Sequence, residues 1–254
     1  MISAHRISKS FGGIRAVADC SLTVERGQVL GLIGPNGAGK TTLFNILAGF
    51  MAPDSGRIEL DGEDITGRRP HELFHRGVVR TFQIAHELAR MTVLENLMVV
   101  PPGQSGEHLL TALFRPRRVA EEERALRERA EEVLARLKLE ALRFELAGNL
   151  SGGQKKLLEL GRAMMTEAKV VLLDEIGAGV NRSLLAELAG YIERLNREQG
   201  YSFCIIEHDM DLIARLCHPV VVMAEGRVLA QGSMAEIRAN EAVIQAYLGG
   251  PSGT

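Results

Sequence analysis

Polar and apolar side chains alternate through the first thirty residues, around turn points at Gly12-Gly13 and Arg26-Gly27. A period of two predicts short antiparallel strands. Residues 29–33 then form an unbroken apolar run that ends in a glycine loop, and a helix-like stretch follows at 41–49. Strand, loop, helix is an α/β unit. Residues 57–60, followed by Asp61-Gly62, predict another strand and turn. The character changes at 101–125: Pro101-Pro102-Gly103 breaks the chain, Arg115-Pro116-Arg117-Arg118 follows, and a charged run begins at Glu121. From 119 to 139 the pattern is helical, with Leu126, Ala130, Val133, Leu134 and Leu137 on one face. This stretch reads as a helical subdomain inserted into the α/β core, its charges a solvated face. Residues 170–173 and 203–206 are continuous apolar runs suited to central parallel strands buried on both faces. After Pro219, residues 220–223 and 228–230 flank Ala224-Glu225-Gly226-Arg227, which reads as a hairpin. The last twenty residues include a helix before a glycine-rich tail.

At 254 residues the chain fits one large domain, or one domain carrying an inserted subdomain. With 46% hydrophobic and 24% charged residues it has the balance of an ordinary globular core and a soluble surface. The net charge is -2 and no stretch gathers basic residues, which argues against a protein built to hold nucleic acid. No run of about 18 apolar residues is present to span a bilayer. The N-terminal segment lacks the pattern of a signal peptide, so the expected location is the cytoplasm. Cys20, Cys204 and Cys217 are widely spaced among apolar residues. An odd count without CxxC spacing predicts reduced, buried thiols. The seven His residues are scattered, so no structural metal is expected.

Three segments carry chemistry. Gly34-Pro35-Asn36-Gly37-Ala38-Gly39-Lys40-Thr41 satisfies G-x-x-x-x-G-K-[ST], with Thr42 next. Glycines let successive backbone N–H groups point inward around a phosphate, and the following helix presents its positive end. Lys40 supplies a point charge for β- and γ-phosphates, and the Thr41 hydroxyl can ligate Mg²⁺. A chance match in a chain this long has odds of about one in a hundred. The second segment, Asp174-Glu175, ends an apolar strand, and such strands carry their C-terminal ends to the phosphate crevice. Asp174 can hold Mg²⁺ and Glu175 can polarise an attacking water. The third is Leu150-Ser151-Gly152-Gly153-Gln154 at the head of a helix. Alone it could be a helix cap, since serine is common there.

With the first two in register, that pentapeptide resembles the signature of ABC ATPases, and it lies 23 residues before Asp174 as in that family. The resemblance implies an α/β P-loop NTPase core with a mostly parallel sheet, an N-terminal antiparallel β subdomain and an inserted helical subdomain. The whole chain, 1–254, is then a single ABC ATPase domain. Residues 1–84 and 165–254 form its core, and 85–164 form the insert that carries the signature. The resemblance further implies that Ser151, Gly152, Gly153 and Gln154 grip the γ-phosphate of a nucleotide held by a second subunit. ATP is bound by Gly34, Asn36, Gly37, Gly39, Lys40, Thr41 and Thr42, with Phe11, 29 residues before Lys40, stacked on adenine. Core packing is the rival reading of Phe11. Gln83 matches the Q-loop glutamine, near Mg²⁺ or the lytic water, and His208 the switch histidine. Thr41, Gln83 and Asp174 are then the Mg²⁺ ligands, with Glu175, His208, Lys40 and Gln83 catalytic.

Several stretches are similar to the branched-chain amino-acid (Liv-type) import ATPases: Phe11-Gly12-Gly13, Gly77-Val78-Val79-Arg80-Thr81-Phe82-Gln83, Met91-Thr92-Val93-Leu94-Glu95-Asn96-Leu97, Ile206-Glu207-His208-Asp209-Met210 and Ala246-Tyr247-Leu248-Gly249. That likeness implies a second ATPase subunit (a paralogue or a copy of this chain) in a head-to-tail dimer. It also implies two transmembrane permease subunits, an extracytoplasmic solute-binding protein reached indirectly, and a peripheral place on the inner face of the membrane. A non-transport ABC ATPase acting on DNA or ribosomes is the alternative. Such proteins carry long coiled coils or paired domains, and this chain has neither. One motif departs from the family: Ile176-Gly177-Ala178-Gly179-Val180-Asn181 stands where a proline usually follows the acidic pair and Asp is common at the end.

Overall fold

The structure is a computed structural model and describes residues 1–81 and 88–248. The strands are β1 (Ile2–Phe11), β2 (Ile14–Val24), β3 (Val29–Ile33), β4 (Ser55–Leu60), β5 (Glu63–Asp64), β6 (Val78–Arg80), β7 (Val170–Asp174), β8 (Ser202–Ile206), β9 (Val220–Ala224) and β10 (Arg227–Gly232). The helices are α1 (Lys40–Leu47), α2 (Pro70–Phe74), α3 (Val93–Met98), α4 (Leu109–Phe114), α5 (Pro116–Arg136), α6 (Gly152–Met164), α7 (Arg182–Gln199), α8 (Met210–Leu216), α9 (Met234–Ala239) and α10 (Glu241–Leu248). The chain divides into two compact units. One comprises Met1–Gln83, Ala168–Ala178 and Leu185–Thr254, the other Ile84–Glu167 and Gly179–Leu184.

The first unit contains both sheets. One is antiparallel, in the order β2-β1-β4-β5; the other runs β10-β9-β3-β8-β7-β6. In the second sheet β9, β3, β8, β7 and β6 are mutually parallel and only β10 at the edge is antiparallel. Every residue of β3, β7 and β8 is buried. That explains the continuous apolar runs, because a strand covered on both faces has no polar side to alternate. The core joins Ile2, Ile7, Val17 and Ile58 of the antiparallel sheet to Leu43 and Phe44 of α1 and to Leu30, Leu172, Ile206 and Met223 of the parallel one. The three thiols are free and buried. Burial pushes Cys20 up to about 11 and Cys217 to about 12, so none is poised as a nucleophile.

Local geometry corrects several expectations. The opening segment is two long strands, not several short ones. Arg6 and Asp19 adopt positive φ (49° and 55°), and the β1–β2 register shifts between Ala4 and Ile7. Bulges reset the alternation, so it looks interrupted in sequence. The charged helix begins at Pro116, three residues before the expected 119, because proline suits a first helical position. It ends at Arg136, with Leu137 as its cap and Lys138 at φ 55°. Within it Ala130, Val133 and Leu134 are buried, while Leu126 is only half-buried. The C-terminal helix is two helices, α9 and α10. Strand β6 carries too short a pattern to be predicted, three residues that pair on one side only.

In the second unit α3, α5 and α6 pack together. Gly161 makes the close approach possible, since a Cβ there would lie 2.9 Å from Leu137 and 3.2 Å from Leu97. Asn96, fully buried, donates to the carbonyls of Leu88, Met91 and Thr92 and accepts from the Leu88 amide, which fixes the entry to α3. The segment before α4 is tied to α5 through Glu122, which accepts from the Ser105 hydroxyl (2.7 Å) and amide (3.0 Å) and from Arg118 (2.9 Å). Arg118, then the two Ser105 donors, hold the Glu122 carboxyl down from 4.5 to about 2. A depressed folded-state pKa contributes stability that is present above the ordinary glutamate pKa and lost as pH falls through the folded value. Glu122→Gln is therefore expected to flatten the loss of thermal stability between pH 4.5 and 2. Melting temperature against pH tests this, and an unaltered acid slope would refute it.

Candidate functional site

Strand β3 delivers the glycine loop with little freedom. Gly34 sits at φ 151°, and a Cβ there would lie 2.1 Å from the Met223 carbonyl oxygen of β9. Gly39, at φ 95°, would meet the Ala16 carbonyl oxygen of β2 at 2.2 Å. Neither position tolerates a side chain: the space is filled by backbone and the conformation is left-handed. The Ala38 carbonyl accepts from the Gly226 amide (3.1 Å), and the Gly226 carbonyl accepts from Ala18 (2.8 Å), so the loop is moored to both sheets.

Because Gly39 is the N-cap of α1, no side chain caps this helix, and no acidic residue lies in its first turn. Four backbone amides at a helix start lack partners inside the helix. Here Thr41 and Thr42 lie beside that open end, with Thr41 exposed and Thr42 half-buried, while Asn36 and Gly37 of the loop are exposed. The arrangement is an anion cradle, positive by its dipole and by its unpaired N–H groups. Lys40 is buried and folds back over the loop, donating to the carbonyl oxygens of Gly34 (2.7 Å) and Pro35 (3.0 Å). Burial lowers its pKa, and the nearby carboxylates of Glu175 and Asp174 oppose that shift.

Strand β7 ends on Asp174, which is buried and ion-paired with Arg80 at 2.8 Å. Glu175 follows at φ 50°, its amide bonded to the Ile206 carbonyl, a sharp turn that a non-glycine residue adopts only under constraint. Its Oε1 lies 3.2 Å from His208 Nε2, with the histidine half exposed. The acidic residue and the histidine are thus brought together from the ends of neighbouring parallel strands. Phe11, the last residue of β1, is 47% exposed, which removes the core-packing reading. Lys9 Nζ stands 6.0 Å from its ring centroid. Gln83 lies outside the described residues.

Ser151 is the N-cap of α6 in the second unit. Its hydroxyl accepts from the Gln154 amide at 3.4 Å and the Gln154 side chain accepts from the Ser151 amide at 2.9 Å, a reciprocal capping box. Ser151 and Gly152 are exposed. Gly153 is buried, and a Cβ there would sit 1.7 Å from Leu184 Cδ2, so only glycine fits.

Two groups with largely buried side chains, Arg80 and Glu207, have no spacing motif in the sequence to announce them. Glu207 is buried and its carboxylate accepts from the amides of Gly177 (2.5 Å) and His208 (3.0 Å), holding in place the loops that follow β7 and β8. Its only local signal is an acidic residue closing an apolar run just before His208.

Buried parallel strands that end in a moored glycine loop, an uncapped helix and a carboxylate pair define a P-loop nucleotide-binding protein. Comparison narrows the class. Residues 17–178 match the ABC transporter family, and residues 227–252 match the branched-chain amino acid ATP-binding cassette transporter family. A probable branched-chain amino acid transport ATP-binding protein, LivG, of Archaeoglobus fulgidus is 41% identical over 98% of this chain and 95% of its own length. The high-affinity branched-chain amino acid transport ATP-binding protein BraF of Pseudomonas aeruginosa is 41% identical over 98% of both chains. Among solved structures, an ATP-binding cassette of an ABC transporter in its ADP conformation superposes with a TM-score of 0.83 at 37% identity, covering 98% of this chain and 99% of that one. The chain belongs to the ABC transporter family, as one of its ATP-binding, ATP-hydrolysing subunits.

Glu207→Ala would leave two amides without an acceptor, each costing about 1–3 kcal/mol. The expected loss of unfolding free energy is about 2–6 kcal/mol, with a smaller loss for Glu207→Gln, which keeps one acceptor. Urea unfolding measures both, and a loss under 1 kcal/mol in the alanine variant would contradict the anchoring role.

Proposed function

We propose that the chain hydrolyses Mg²⁺-bound ATP at the 34–42 loop to power an importer of branched-chain amino acids or related polar solutes. The observation that carries the reading is the open start of α1 beneath a buried lysine: an anion site already built, with its counter-charge folded over it. The solute class is supported by the match at residues 227–252 and by the names of the relatives.

ATP lays its phosphates on the amides of Gly37, Gly39, Lys40, Thr41 and Thr42, with Gly34 and Asn36 shaping the loop. Lys40 exchanges two carbonyl contacts for phosphate oxygens, a stronger, charge-assisted pairing. The exposed ring of Phe11 is free to lie against the base. For Mg²⁺ the donors fit: Thr41 offers a hydroxyl and Asp174 a carboxylate, both hard oxygens. Among the described residues no group of three or more His, Cys, Asp or Glu could hold a metal alone. That suits an ion that keeps water and substrate phosphates as ligands, with Thr41, Asp174 and Gln83 as the protein's share. Bound there, Mg²⁺ would neutralise charge on the β- and γ-phosphate oxygens. Glu175 orients and deprotonates the attacking water, while His208, 3.2 Å from it, and Lys40 face the charge spreading over the γ-oxygens.

Ser151, Gly152, Gly153 and Gln154 close the site from a second subunit, a paralogue or a copy of this chain, arranged head to tail. The long Ser151–Gln154 bond is readily traded for a phosphate oxygen. Two permease subunits, served by an extracytoplasmic binding protein, hold the pair on the inner face of the membrane; no helix among the described residues is long and apolar enough to cross it. Nucleic acid has no part in this cycle.

Glu175→Gln is expected to keep nucleotide affinity nearly intact, to cut turnover by about 100-fold or more, and to trap an ATP-bound dimer. Phosphate release and light scattering with ATP measure these. Turnover at the parent rate would remove Glu175 from its role.

A further inference from the structure

Arg80 belongs to neither the phosphate loop nor the acidic pair, yet its side chain bonds both to Asp174 and to the helix that follows the loop. It is the last residue of β6, in register with Leu172 of β7, and the Thr81 amide extends that pairing to the Leu172 carbonyl. The strand end aims the guanidinium along β7 toward Asp174, and Nη2 donates to Oδ2 at 2.8 Å, with both side chains over nine-tenths buried. The other arm, Nη1, donates to Asn45 Oδ1 at 2.5 Å. Asn45 belongs to α1, five residues past Lys40, and its carbonyl accepts from the Phe50 and Met51 amides where that helix ends. The guanidinium plane is enclosed by Phe50, whose ring centroid is 5.6 Å away, and Phe44, at 6.0 Å. One planar group therefore joins the phosphate-loop helix to the strand that carries the acid. A lysine could not do this, because it lacks a fork rigid enough to reach two acceptors on different elements.

The consequence for Asp174 is directional. Arg80 engages Oδ2, while Oδ1 has no hydrogen bond or ion pair among the described residues. A carboxylate pinned through one oxygen presents the other at a fixed angle. Groups that orient a metal's ligands are known to govern its affinity even though they never touch it.

We propose that Arg80 is a positioning residue for the metal: it fixes Asp174 against α1 so that its second oxygen is set toward the Mg²⁺ of the bound nucleotide. This inference rests on the reading of Asp174 as an Mg²⁺ donor. Arg80 bonds to Asp174 and Asn45 and lies outside the 34–42 loop, so it acts on the part of nucleotide binding that the metal supplies and leaves the part supplied by Lys40 and the loop amides.

The test is calorimetric titration of the purified chain with ADP, once in Mg²⁺ and once in excess EDTA. The readout is the factor by which Mg²⁺ tightens ADP binding. Arg80→Gln is expected to keep the affinity in EDTA near that of the parent and to shrink the Mg²⁺ factor about tenfold; Arg80→Lys, which restores the charge without the fork, recovers only part of it. An equal loss in both buffers, or an unchanged Mg²⁺ factor, would overturn the proposal. Should Arg80→Gln fail to fold, Asn45→Ala removes the second arm while keeping the ion pair. A smaller but still selective loss of the Mg²⁺ factor is then expected, and none would overturn the proposal equally. Asp174→Asn separates the two levels. If it leaves the Mg²⁺ factor intact, the reading of Asp174 fails; if it abolishes the factor while Arg80→Gln does not lower it, only the role of Arg80 fails.

Discussion

A helix that begins without a side-chain cap leaves backbone amides pointing into a space that must be filled by something negative. In this protein that condition is enforced from outside the helix. Gly39 is left-handed and pressed against the Ala16 carbonyl of β2, and Gly34 against the Met223 carbonyl of β9, so the loop can neither gain a side chain nor relax into an ordinary turn. The antiparallel sheet is thus one wall of the mould in which the anion site is cast. The buried core that links β1, β2 and β4 to α1 is what keeps that wall in place.

Around this cradle the charges are matched before any nucleotide arrives. Lys40 rests on two loop carbonyls, Asp174 on Arg80, Glu175 beside His208, and Glu207 on two amides. A buried charge without a partner costs several kcal/mol, so a site this rich in carboxylates needs such internal pairing to fold. These pairs differ in what they leave available. Glu207 has both oxygens engaged and serves as scaffold. Lys40 holds neutral carbonyls, weaker partners than phosphate, and is the group most easily redirected when an anion enters.

The parts of the site legible in the sequence are those whose geometry is local. The phosphate loop, the acidic pair and the serine-headed helix are defined by spacing within eight residues, because one turn of backbone sets each shape. Arg80, Asn45 and Glu207 could not be read that way. Arg80 meets Asp174 across 94 positions and Asn45 across 35, and no spacing rule announces such pairs. The fold followed the same division. Runs buried on both faces read as central strands, whereas β6, three residues long, and the bulged β1 and β2 depart from the pattern where tertiary pairing overrides it. Pro116, flanked by arginines in a segment that reads as a chain break, hides its part as the start of α5.

The stretch after Glu175 is where the chain leaves the family's usual pattern, and the local structure shows what holds the segment in place. Ile176, in the place of a proline, is buried, so its side chain adds apolar burial at a position where proline's gain would be stiffness. The next residue, Gly177, needs no help from a rigid neighbour, because its amide is held by Glu207. Asn181 stands where Asp is common, and its Oδ1 accepts from the Leu184 amide at 2.9 Å at the head of α7. Asparagine and aspartate serve about equally well at that position. Both ends of the segment are therefore fixed by bonds that the substitutions leave intact. What the change removes is one negative charge at an exposed helix start. Its effect belongs to whatever approaches residue 181 from outside, since the neutral amide caps the helix as the carboxylate would but no longer attracts a cation there.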